Sequence, residues 1–291
     1  DPDAHLEARI IEARVMSWML DPDALTRAAQ VFADASAADD LHYQLHGATM
    51  LAEVLITWGR YEDAAQVCTR FDAAGSPGEP AHADLTRLAA VHCLAELARA
   101  DLAGAAEAKS RLLDRLGYPH NYIHHALPRM ATALYSLATT PPELACTAIA
   151  GAVTDLSARY PQTVSCAYWL QLLLAEAARR AGRPREALDH LIDGLEQSVD
   201  RSDYSKSLPG VLTAGWLATE LGEHAAGQNL VGEWDLLRRR LGLPAPLGYA
   251  EAVRAAGLDP NAPAEPSAPW DGRQLEALVN TAYHAMLRLA H

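Results

Sequence analysis

Lysine is almost missing from this chain: only Lys109 and Lys206 occur in 291 residues, and the arginines are scattered. Acidic residues outnumber basic ones, 37 to 24, for a formal net charge of −13. A duplex-binding surface needs clustered cations to neutralise phosphates, so direct nucleic-acid binding is excluded. The one dense basic run, Arg238-Arg239-Arg240, precedes Leu-Gly-Leu-Pro. It reads as the solvated last turn of a helix, where cations complement the dipole. No window reaches the roughly 18 apolar residues of a membrane span. The opening DPDAHLEAR has no apolar signal core, which predicts a cytoplasmic protein with no membrane partner. An initiator Met is also missing, so the chain reads as a fragment or a processed form. Cys68, Cys93, Cys146 and Cys166 form no CxxC and sit in apolar helical patterns. They predict small buried thiols in a reducing compartment and no zinc site. Aromatics are few, 6%, which suits close helix packing through small residues. No stretch alternates with the two-residue period of a strand.

What the chain does have is a repeat. Leu173–Gln197 reads as two helices around a tight turn. Gly182 closes the first, and Pro184 opens the second where its missing N–H costs nothing. Ala187, Leu188, Leu191, Ile192 and Leu195 then line one face at helical spacing. The same unit recurs, with a small residue at the expected crossing point: Ala24, Ala64, Ala105, Ala145, Ala187 and Gly227. Successive spacings are 40, 41, 40, 42 and 40. A fixed period built from two helices predicts an all-α solenoid of about six pairs.

The pairs are Ala4–Leu20 with Pro22–Ala38, Leu41–Trp58 with Tyr61–Ala74, and Ala81–Arg99 with Leu102–Leu116. Asn121–Ala138 with Pro142–Tyr160, Thr163–Ala181 with Pro184–Val199, and Leu208–Leu221 with Ala225–Leu241 follow. Asp21 reads as an N-cap with Pro22 at the first helical position. Gly75–Pro80 reads as a breaker. The repeat region therefore spans 1–247. Residues 248–291 read as a short helix (Gly248–Gly257), a Pro-rich linker (Asp259–Pro269) and a final helix (Gly272–Leu289) that caps the last pair.

Catalytic patterns are missing. There is no GxSxG elbow, and Asp39-Asp40 fall where acidic residues cap the next helix. The chain reads as a non-enzyme without cofactor or metal. His42 and His46 share a helix face but lack HExxH and a third ligand, so they read as a structural or surface pair. His120, His124 and His125 beside Tyr118 and Tyr122 read as helix-entry packing, with a polar pocket or an interface as the alternative. In a solenoid the first helices of the pairs line the inner face, where ligands bind. Counting back from each turn places His46, Thr49 and Glu53 there in the second pair, Arg87 in the third, and Met130 with Leu134 in the fourth. The fifth gives Trp169, Glu176 and Arg179, and the sixth Leu212, Trp216 and Glu220. Aromatic, acidic and arginine side chains together suit a peptide, a protein or a small-molecule inducer, with Trp and Arg the strongest anchors. Gap-filling between helices is the alternative role for Trp169 and Trp216.

The turn glycines, the Tyr61 and Pro184 that follow two residues later, and the small residue in each second helix resemble tetratricopeptide repeats. The period near 40 exceeds their usual 34. It resembles instead the helical repeats of MalT-like and AfsR-like regulators, the LuxR-type STAND ATPases that control bacterial transcription. NLVGEWDLLRRRLGLPAPLGY (Asn229–Tyr249) and WDGRQLEALVNTA (Trp270–Ala282) resemble segments near the end of their repeat regions. No Walker A pattern and no basic helix-turn-helix occur here. The resemblance thus implies the sensing part of such a regulator, relaying an inducer or partner to an ATPase and a DNA-binding part outside this chain. A free-standing protein–protein adaptor is the alternative, and exposed repeat ends would permit a homodimer.

Overall fold

A left-handed residue closes the first helix of five pairs. Leu20, Gly59, Ala100, Gly182 and Gly222 all have positive φ, between 54° and 91°. At each, the N–H of the left-handed residue donates three residues back and the next N–H donates five back, as in Gly182 to Arg179 and Arg183 to Ala178. This is the Schellman arrangement, which satisfies carbonyls that a helix end leaves orphaned. The fourth turn differs because Pro141 stands where that second donor is needed, and proline has no N–H to give.

A computed structural model describes residues 2–71, 79–116, 123–159, 167–201, 207–246, 249–260 and 273–290. Among them are fourteen α-helices and no strand. The chain divides into two compact units, Asp1–Thr139 and Thr140–His291.

The first unit holds α1 (Pro2–Trp18), α2 (Ala24–Ala37), α3 (Leu41–Thr57), α4 (Tyr61–Thr69), α5 (Glu79–Ala98), α6 (Leu102–Arg115) and α7 (Ile123–Thr139). Each even helix packs against the odd helices on either side of it. The odd helices also pack on one another in order, α1 on α3, α3 on α5 and α5 on α7. They form one continuous layer. Ala24, Ala64 and Ala105, the crossing residues, are fully buried. Around them Ile10, Val31, Leu45, Met50, Val54 and Val91 build the core.

In the second unit α8 (Pro142–Arg159) packs on α9 (Ala167–Arg180), and α9 on α10 (Pro184–Arg201) and α11 (Leu208–Glu220). Next, α11 packs on α12 (His224–Leu241) and on the short α13 (Tyr249–Ala255). Gly227 shows how close α11 and α12 come. A Cβ there would run into Thr219 Oγ1 and lie 2.7 Å from the Gly215 carbonyl. The last helix, α14 (Arg273–Ala290), folds back on α10, α11 and α12. It buries Leu275, Leu278, Val279, Ala282, Ala285 and Met286. Its other face, with Gln274, Glu276, Thr281, His284 and Arg288, is exposed. A polar-backed helix of this kind covers the apolar end of a repeat stack.

Three local expectations need correcting. First, α2 starts at Ala24, not Pro22. The Asp21 N–H is used by the Schellman turn to Met16, and the Asp21 carboxylate accepts from Asp23 N–H at 2.9 Å instead of capping a helix. Second, Glu79 and Pro80 belong to the first turn of α5 and not to a breaker. Third, the arginine run of α12 is not solvated. Arg238 and Arg239 pair with Asp235 at 3.2 and 2.7 Å, and Arg240 donates to Gln274 of α14 at 2.7 Å. Tyr249 closes the lock: its hydroxyl donates to Asp235 at 2.5 Å, and its ring lies under Arg238 and near Trp234. The Trp234 indole donates to the Leu208 carbonyl at 2.9 Å.

Candidate functional site

Positions six and thirteen residues before each left-handed residue lie two helical turns apart, on the same helix face. In the first unit these positions carry Glu7 and Arg14 on α1, His46 and Glu53 on α3, and Arg87 and Leu94 on α5. Because the odd helices adjoin, Arg14, His46, Glu53 and Arg87 meet. Arg14 Nε donates to Glu53 Oε2 at 2.8 Å, and Arg87 Nη2 reaches Glu53 Oε1 at 3.3 Å. Arg14 Nη1 lies 3.0 Å from His46 Nε2. A guanidinium can only donate, so that nitrogen accepts, and the His46 ring is neutral with its proton on Nδ1. His42 Nδ1 meets Asp84 Oδ2 at 2.6 Å, and the His42 and His46 rings are 5.8 Å apart.

Electrostatically this cluster is strained. Arg14 is only 7% exposed. Burial pulls its pKa below the ordinary arginine value, although the Glu53 charge opposes that. Burial likewise pushes the Asp84 carboxyl up, against the opposing pull of His42. Arg14 Nη2 and Arg87 Nε are buried donors without a hydrogen-bond partner among the described residues. A buried donor left unmade costs about 1–3 kcal/mol.

A second cluster lies between α5 and α6. His92 Nε2 faces Glu96 at 3.3 Å, while Arg111 of α6 approaches Nδ1 at 3.2 Å. Here the accepting nitrogen is Nδ1, the opposite tautomer to His46. Arg99 joins Glu96 to Glu62 of α4.

The second unit has its own cluster. Arg179 grips Glu176 with two nitrogens at 2.9 and 3.0 Å and Glu220 of α11 with the third at 2.7 Å. Its guanidinium stacks 3.5 Å from the Trp216 ring centre. Arg180 and Thr213 also donate to Glu176, at 2.7 and 3.3 Å. Burial alone would raise the Glu176 carboxyl. The Arg179 hydrogen bonds and charge, then Arg180, outweigh it, and the pKa lies below the ordinary value. All three donor nitrogens of Arg179 are engaged, so this cluster is closed.

The structure thus joins His46, Glu53 and Arg87 in one unit and Glu176, Arg179, Trp216 and Glu220 in the other. Thr49 is buried and turns its hydroxyl onto the Leu45 carbonyl of its own helix. Met130 and Leu134 are half-buried on α7, and Trp169 is half-buried on α9, edge-on to Tyr168. Leu212 is buried in α11. Arg14, His42 and Asp84 were not among the expected site residues. Arg14 follows from the same count, made from Leu20 instead of a glycine. The His120, His124 and His125 group and Cys166 lie outside the described residues and side chains.

Among the described residues no group of three His, Cys, Asp or Glu side chains is arranged to hold a metal ion. Cys68, Cys93 and Cys146 are buried thiols. Burial pushes the Cys93 thiol up to about 11, which leaves it protonated and a poor nucleophile at neutral pH. Among the described residues no helix is long and apolar enough to cross a membrane. Comparison of the sequence with protein-family models finds no matching family, and comparison with curated proteins finds no match.

Proposed function

We propose that this chain is a non-catalytic, tetratricopeptide-like sensing domain of a bacterial transcriptional regulator. It would work in the cytoplasm and relay a bound inducer, peptide or protein to an ATPase and a DNA-binding part outside this chain. The observation that carries this reading is the Arg14–Glu53–Arg87 cluster on the odd-helix layer, with two buried donors unsatisfied among the described residues. Such a cluster ties three successive repeats together through ion pairs that an acceptor-bearing ligand can rearrange. A ligand that favours one arrangement shifts the population toward it, and that difference is the signal. The MalT-like and AfsR-like resemblance supplies the context.

A thermal-shift screen of the chain against carboxylate-bearing metabolites and short acidic peptides tests this. A ligand at one hundred times its dissociation constant adds about 2.7 kcal/mol of apparent stability. The expected hit raises the melting temperature of the parent chain and fails to raise that of Arg87→Ala. A shift that survives Arg87→Ala places the ligand elsewhere.

A further inference from the structure

Histidine and arginine are both bases, yet two buried histidines of the first unit each face an arginine. His46 of α3 meets Arg14 of α1, with Nε2 and Nη1 3.0 Å apart. His92 of α5 meets Arg111 of α6, with Nδ1 and Nη2 3.2 Å apart. A guanidinium has only donors to offer, so each contact lasts only while the facing ring nitrogen is bare. A proton on that nitrogen sets donor against donor and cation against cation.

The two pairs differ in what a proton costs. The other nitrogen of His92 meets Glu96 at 3.3 Å, and a carboxylate there offsets the charge of a protonated ring. The Arg111 side chain is also 31% exposed, so it can swing toward water. Arg14 has no such outlet: its side chain is 9% exposed, and Glu53 holds its Nε at 2.8 Å.

Among the described residues, the carboxylates near His46 are already engaged. On α3 itself, Glu53 is shared between Arg14 and Arg87 of α5, and the His42 ring lies 5.8 Å from His46. Asp84 of α5 is taken by His42 at 2.6 Å. On α2, Asp34 and Arg27 turn to Arg9 and Glu12 of α1. On α4, Glu62 and Asp63 turn to Arg99 and Arg60. His5 and Glu7 of α1 are exposed.

We propose that His46 makes the seam between α1 and α3 proton-sensitive: closed while Nε2 accepts from Arg14, opened when Nε2 takes a proton from solvent. Once the seam is open, the ring titrates as an ordinary histidine, at about pH 6.5. The bare ring belongs to the closed seam, so the open state binds the extra proton and closure weakens as pH falls. Each unit of pH below about 6.5 favours the open state by up to about tenfold. The neighbouring contacts do not share this response. Arg9–Asp34 and Arg27–Glu12 tie α1 to α2 without a histidine. Between His42 and Asp84, a proton on either partner leaves a hydrogen bond in place, so α3 stays on α5. Acid thus loosens one seam of the odd-helix layer. The switch belongs to the fold and needs no inducer.

Two measurements on the 1–291 chain test the proposal: nitrogen NMR of the imidazole rings, and hydrogen exchange between pH 8 and pH 5 corrected for the intrinsic pH dependence of amide exchange. At pH 8 the expected His46 spectrum shows Nε2 bare and the proton on Nδ1. Protection of α1 should fall by up to about tenfold for each unit below about pH 6.5. In His46→Gln the side-chain amide oxygen can accept from Arg14 and does not titrate, so α1 protection should stay level over the same range. Equal pH dependence in the parent and in His46→Gln overturns the proposal. So does a proton on His46 Nε2 at pH 8, a readout on the parent chain that stands even if the variant fails to fold. The thermal-shift screen is run at one pH with added ligand, so failure of the sensing reading and failure of this proposal are separately visible.

Discussion

Glu176 is half-buried and Asp84 buried, and the two carboxylates should respond to acid in opposite directions. The Glu176 pKa is depressed in the folded chain. Its contribution to stability is therefore present above the unfolded glutamate value, about 4.3, and is lost as pH falls through the folded pKa. Asp84 is raised, so its ionised form is the one the fold disfavours, and protonation relieves it. Glu176→Gln should destabilise at pH 7 by about 2–4 kcal/mol, since it strips charge from a buried network holding two arginines. Asp84→Asn should be neutral or stabilising at pH 7. Urea denaturation at pH 7 and pH 4 checks both: the Glu176→Gln deficit shrinks at the lower pH. The sequence made half of this visible. Counting from turn glycines reached His46, Glu53, Glu176 and Trp216. It missed Arg14 because its turn residue is Leu20, a side chain that carries no left-handed signal. Arg179 and Glu220 were legible as inward-facing, but their engagement with Glu176 was not, because it depends on how α9 and α11 adjoin.

Among the turns, five share one backbone geometry but not one residue type. Gly182 has open space around a would-be Cβ. The cost of Gly182→Ala is therefore purely conformational, about 1–2 kcal/mol for a left-handed alanine. Ala100 already carries that cost at φ 60°. Ala100→Gly should raise stability by about 0.5–1 kcal/mol, with the larger backbone entropy of the unfolded glycine taking back part of the gain. Denaturant midpoints of the two variants should move in opposite directions. If both variants are destabilised, the left-handed turn is not limiting at Ala100. Helix spans were legible to within a few residues because the small crossing residues recur every 40 or so. Boundaries failed where a residue had two uses, as Asp21 did: it reads as a cap, but its N–H is already committed to the end of α1.

At the scale of the molecule, the second unit closes through its last helix. Removing residues 261–291 takes away α14, which covers α10, α11 and α12. Hydrogen exchange should then rise by at least tenfold in α10–α12, while α1–α6 keep their protection. Equal exchange with and without residues 261–291 would show that α14 contributes little to the stack. That the described residues are helical, with a final helix packed back on the last pairs, followed from the period of the repeat. The chain's division at Thr139 did not, because small residues keep their spacing through the fourth turn. Pro141 is the local sign that this turn is built differently.

The order of these contacts has a consequence for synthesis on the ribosome. In the first unit the packed helices are never more than two places apart in the chain, so each pair can settle soon after it emerges. In the second, α10 waits for a partner about seventy residues downstream. The part of its surface that α14 buries stays uncovered until α14 has emerged, and long-range closure of that kind is slow. Nascent chains stalled before Arg273 should therefore recruit chaperones on their C-terminal half, whereas the N-terminal half has already folded.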